Sequence, residues 1–120
     1  MQPYLTEAHQ AIKSGLYLAA ALVAAVGFEA AVRETARMFR IPDKRISLAT
    51  LLRELSAHTS DKRKIETLVT LNRIRNGLVH GERQTSHLTR EEALELIDAF
   101  RVGANYLMYI PNDWTATSSH

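Results

Sequence analysis

Residues 60–81 read Ser-Asp-Lys-Arg-Lys-Ile-Glu-Thr-Leu-Val-Thr-Leu-Asn-Arg-Ile-Arg-Asn-Gly-Leu-Val-His-Gly, and the reading of this stretch decides the fold. Ser60 or Asp61 can cap a helix at its start, and Gly81 can stop it. Between them Ile65, Leu68, Val69, Leu71, Ile74, Leu78 and Val79 recur at helical spacing. With Leu68 at zero and about 100° per residue, these positions fill an arc from roughly 240° through 0° to 100°, the face of a core helix. Arg75 falls at about 340°, inside that arc. A guanidinium cannot shed its charge, so at such a position it needs a carboxylate, a set of carbonyls or a bound phosphate. Asn76, His80 and Arg73 follow at roughly 80°, 120° and 140°, along one edge of the apolar arc.

Working outward, the rest of the chain also reads as helix. Residues 16–39 are rich in Ala, Leu, Glu, Arg and Met, with Leu18, Leu22, Ala25, Glu29, Val32 and Ala36 on one face. Glu29 on that face is the preferred carboxylate partner for Arg75. A preceding helix over residues 5–14 either joins straight through Gly15 or kinks there, and Pro42-Asp43 closes the region. Ser47 is the expected N-cap of a short helix carrying Leu48, Leu51, Leu52 and Leu55 and ending near His58. After a polar loop over 82–88, Thr89-Arg-Glu-Glu92 has the capping-box pattern. It opens a last helix with Ala93, Ile97, Phe100, Ala104 and Leu107 on one face, ended by Pro111. The acids at 91, 92, 95 and 98 fit the helix dipole and a solvated face. Connections are short and strand signals nearly absent. The expected fold is therefore all-α, an up-and-down four-helix bundle with an extra or kinked N-terminal helix, as a single domain over residues 1–120.

Composition narrows the chemistry. The chain has 120 residues, 46% of them hydrophobic and 23% charged, as in an ordinary globular protein. It has no cysteine, which excludes disulfides, Cys-based zinc sites and thiol catalysis. His9, His58, His87 and His120 share no metal-ligand spacing, so no metal site and no cofactor is expected. The apolar run LYLAAALVAAVGF at 16–28 is too short to cross a bilayer and lacks the basic leader of a signal peptide, so a cytoplasmic protein is expected. The net charge of +2 conceals an uneven distribution. From Arg33 to Arg90 there are 13 Lys and Arg against six acids, and 11 of the chain's 15 basic residues are Arg, the side chain suited to bidentate phosphate recognition. A solvated basic face explains this as well as a nucleic-acid partner does.

The segment RNGLVHG at 75–81 resembles the signature of the HEPN family, small all-helical domains that include RNA-cleaving toxins and defence ribonucleases. The signature is an Arg followed a few residues later by a His, here Arg75 and His80, with the family's frequent Asn after the Arg matched by Asn76. Arg53 and His58 share the spacing, so context carries the likeness: the Arg-Asn pair, the His-Gly end, the place on the penultimate core helix, and the Phe28-to-Arg33 stretch of the early helix. The resemblance spans roughly residues 5–110. One departure is Glu82, where nucleotidyltransferase-paired toxins usually carry Tyr, which argues for another branch of the family.

The resemblance implies a metal-independent endoribonuclease that leaves 2′,3′-cyclic phosphate and 5′-hydroxyl ends. Its site residues would be Arg75, His80 and Asn76, supported by Arg73 and Glu29. Imidazole is suited to taking the 2′-hydroxyl proton, and a guanidinium to stabilising the phosphorane. One Arg and one His offer little acid-base redundancy, so a homodimer that pairs two motifs is expected, with RNA as substrate and an antitoxin or regulatory protein as a further partner. Alternatives stay open: a catalytically silent HEPN module for dimerisation or RNA binding, or a helical adaptor. His80 beside a C-capping Gly is also what a helix dipole favours, and Arg75 with Glu29 is also what a structural ion pair would look like.

Overall fold

A computed structural model describes residues 1–42, 46–81 and 88–118. The protein is an all-α bundle, with five helices and no strand among the described residues: α1 (Gln2–Lys13), α2 (Tyr17–Met38), α3 (Leu48–Ser56), α4 (Lys62–His80) and α5 (Arg90–Ser118).

The helix ends follow local chemistry. Pro3 stands in the first turn of α1, where its missing N–H is not needed, so α1 starts earlier than residue 5. At its other end Gly15 adopts φ 76°, while the N–H of Leu16 donates to Ala11 O (2.9 Å) and that of Gly15 to Ile12 O (3.0 Å). This Schellman closure separates α1 from α2, so the chain neither runs through Gly15 as one helix nor bends there within one. The end of α2 is built the same way, with Ile41 N–H donating to Ala36 O (2.9 Å) and Arg40 N–H to Arg37 O (3.0 Å). There a non-glycine, Arg40, takes the left-handed conformation at φ 59°. The helix thus ends at Met38, ahead of Pro42, by its own hydrogen bonding; Asp43 lies outside the described residues.

Ser47 caps α3 by accepting from Thr50 N–H (3.2 Å), and α3 stops at Ser56. Asp61, not Ser60, caps α4, its carboxylate accepting from Arg63 and Lys64 N–H (3.1 and 3.2 Å). Gly81 closes α4 at φ 64° with its N–H on Gly77 O. The capping box of α5 forms in both directions: Glu92 N–H donates to Thr89 Oγ1 (3.1 Å), and Thr89 N–H to Glu92 Oε1 (3.3 Å). Contrary to expectation, Pro111 does not end α5, which continues to Ser118. Proline deletes one N–H from the ladder, and a helix can pass it with a bend when the next turn resumes. The loop expected over 82–88 lies outside the described residues except for Leu88.

Helix α2 is central and packs against all four others. Its predicted stripe needs correction: Leu18 and Leu22 are half-buried, while Ala20, Ala21, Ala24, Ala25, Phe28, Val32 and Ala36 are buried. A helix with neighbours on several sides has no single inner face. Small residues set the spacing. A Cβ on Gly27 would strike Tyr4 of α1 at 2.8 Å, and one on Gly103 of α5 would overlap Leu71 and meet Phe28 at 3.1 Å. Phe28 packs against Phe100 with ring centroids 5.5 Å apart. The expected face of α5 is buried, extended by Ile110. On α4, Leu68, Leu71 and Leu78 are buried as expected, but Val79 is 49% exposed. In the last turn Leu78 still faces the core, while Val79 beside it does not. Among the described residues, no helix is long and apolar enough to cross a membrane.

Candidate functional site

Two contacts orient α4 against α2. Phe39, just past α2, stacks on His58, just ahead of α4, with ring centroids 4.3 Å apart. Glu29, in the middle of α2, meets Arg75, near the end of α4. The helices therefore run in opposite directions, and the last turns of α4 lie along the first half of α2. Leu71 seated over Gly103 fixes the rotation of α4, and one turn later that rotation carries Arg75 to the α2 side.

Arg75 Nη2 donates to Glu29 Oε2 at 2.9 Å, and Arg75 Nη1 donates to Asn76 Oδ1 at 2.9 Å. The Arg75 side chain is 19% exposed, so the polar group inside the apolar arc is indeed partly buried and has a carboxylate partner. The other oxygen of Glu29 accepts from Arg33, one turn along α2, at 3.2 Å from Nη2. Arg33 Nη2 also donates to Ile46 O at 3.2 Å, which ties the seam to the chain entering α3. One carboxylate thus holds two guanidiniums, and the Glu29–Arg33–Arg75 cluster carries a net charge of +1 at neutral pH. Sequence reasoning identified the Glu29–Arg75 pair; Arg33 was not singled out, though its i,i+4 relation to Glu29 was available.

His80 is exposed at the end of α4, and Arg73 is exposed on the same side of the helix. Neither joins the ion-pair cluster. Asn76 sits between the two groups, i,i+4 from His80. Its carbonyl oxygen accepts from Arg75 and is therefore not the group that orients the imidazole. The arrangement is a held cation with an exposed imidazole five residues further along the same helix. Val26, one turn before Glu29, and Val79, one turn beyond Arg75, lie past the ion pair at the same end and are 50% and 49% exposed.

A further polar group was missed. Asn72 is 6% exposed, and its Oδ1 has no hydrogen-bond partner among the described residues. On the wheel centred on Leu68 it falls at about 40°, well inside the apolar arc, so the angle used for Arg75 would have found it. The spacing that Arg53 and His58 share has no counterpart in space: Arg53 is exposed, and His58 is packed on Phe39. Tyr109, expected to be a packing residue, is 55% exposed and lies under Lys64 Nζ, 5.3 Å from the ring centroid. Among the described residues no cluster of His, Asp and Glu could hold a metal ion. Compared with known proteins, the chain matches no family model, no curated protein and no solved structure.

Proposed function

We propose that this protein is a metal-independent endoribonuclease of the HEPN type that acts as a homodimer in the cytoplasm, in a toxin or phage-defence role under the control of an antitoxin or regulatory protein. The observation that supports the reading is the partly buried Arg75, held by Glu29 and Asn76 five residues before an exposed His80 on the same helix. Such a guanidinium is fixed in place before substrate arrives, and preorganised donors are what stabilise developing charge on a phosphorane. His80 accepts the 2′-hydroxyl proton as the 2′-oxygen attacks phosphorus, and Arg75 with the Asn76 amide neutralises the non-bridging oxygens. The bond to the 5′-oxygen breaks, and the imidazolium of a second copy returns a proton to it. The products are a 2′,3′-cyclic phosphate and a 5′-hydroxyl. Exposed Val26 and Val79 beside the ion pair supply apolar surface on which two copies can meet.

Incubating RNA with the purified protein in EDTA tests the reading. Wild type is expected to cut and His80→Ala to lose at least about 100-fold in rate. Intact RNA in both would leave the second reading, a catalytically silent module, which is favoured by one observation: both Arg75 η-nitrogens already have protein partners.

A further inference from the structure

Four of the five glycines have a local reason to be glycine, and among the described residues Gly77 has none. Gly15 and Gly81 adopt positive φ, at 76° and 64°. Gly27 and Gly103 lie where a Cβ would strike α1 or α4. Gly77 has ordinary helical geometry, and among the described residues a Cβ built on it would meet nothing within 4 Å. Within a helix such a glycine is less favourable than alanine, with no packing gain in return. It sits between Arg73, one turn before, and His80, nearly one turn after.

The surface around it has a definite character. On the wheel centred on Leu68, Gly77 lies at about 180°, flanked between roughly 120° and 220° by Lys62, Arg63, Glu66, Thr70, Arg73 and His80. All six are exposed; Arg73 is the fixed cation within about one turn of Gly77, while Lys62, Arg63 and Glu66 continue the same face about 16–22 Å toward the start of α4. No exposed apolar residue shares this face; Val79 lies at about 20°, on the opposite side. A second copy of the chain would need apolar area there, whereas a phosphodiester backbone needs positive charge and close approach.

We propose that Gly77 is the point at which the backbone of single-stranded RNA lies flat against α4, the missing side chain letting the strand reach Arg73 and His80 together. The inference rests on the ribonuclease reading, and it adds the track by which substrate reaches the site. It also accounts for Arg73 standing apart from the Arg75 cluster: Arg73 engages the strand rather than the reacting phosphate.

The test uses Gly77→Ala and Gly77→Leu in the full chain, read by thermal unfolding and by anisotropy of a fluorescein-labelled, 2′-O-methylated single-stranded RNA, which cannot undergo 2′-hydroxyl attack. The alanine variant is expected to melt about 3–6 °C higher. Its RNA affinity should fall about tenfold, and that of the leucine variant further, a combination that excludes misfolding as the cause. Unchanged affinity in the leucine variant overturns the inference, and so does a change confined to oligomeric state, which would assign the face to protein. Failure of the parent reading is separate: a wild type that binds this RNA but leaves unmodified RNA uncut would sink the ribonuclease while the binding series still decides Gly77. A wild type that binds no RNA removes both.

Discussion

The two sides of α2 solve opposite problems. Toward α1 and α5 it offers Ala20, Ala21, Ala24, Gly27 and Phe28, all buried, and the helices close on one another until a single Cβ on Gly27 or Gly103 would no longer fit. Toward the last turns of α4 it offers Val26, Glu29 and Arg33, none of them fully buried, and the Glu29 carboxylate accepts from Arg75 at 2.9 Å and from Arg33 at 3.2 Å. Packing of the first kind gains stability from area and shape. A seam of the second kind gains little net stability, since desolvating the charges offsets much of their attraction, but it holds a cation in one orientation at the surface. The stable side is the platform, and the polar side carries the proposed chemistry.

Substitutions on the two sides should separate accordingly. Phe100→Ala removes the ring that packs on Phe28 and is expected to lower unfolding free energy by about 3–5 kcal/mol in urea titration. A loss below that of any seam variant would break the contrast. Glu29→Ala leaves Arg33 and Arg75 facing each other without their shared carboxylate; partial exposure of all three limits the loss to about 1–3 kcal/mol, smaller again in high salt. Asn72→Leu exchanges a buried amide, whose oxygen has no hydrogen-bond partner among the described residues, for an apolar group of the same branching, so chemical denaturation should show a neutral change or a gain of about 1 kcal/mol. A marked loss would mean that the amide oxygen has a partner in solution. His80→Ala should shift stability by no more than about 0.5 kcal/mol while abolishing RNA cleavage, the smallest effect on the fold and the largest on function.

What could be read from sequence was whatever depends on near neighbours in the chain. Ser47, Asp61, Gly81 and the Thr89–Glu92 pair act within three or four residues, and each ended or began a helix as read. Arg75 was legible because one helical wheel sufficed, and Glu29 because only one acid lay on the expected face of the early helix. The readings that failed needed knowledge of the third dimension. Leu18 and Leu22 on α2 are half-buried because several helices surround it, a fact absent from its own periodicity. Val79 continues the apolar pattern of α4 but is exposed next to a buried Leu78, because in the last turn only part of the predicted arc is covered. Asn72 went unseen because only apolar positions were counted when the arc was drawn. Pro111 shows a local rule overridden, since α5 runs past it.

The seating of Leu71 over Gly103 also makes α4 a ruler. Every residue after it is measured from that notch in steps of about 1.5 Å and 100°. One residue inserted between Leu71 and Arg75 would swing the guanidinium about 100° off Glu29, and carry His80 round with it. Changes of residue type along this stretch are therefore tolerable where changes of length are not. Beyond the left-handed turn at Gly81 the ruler ends.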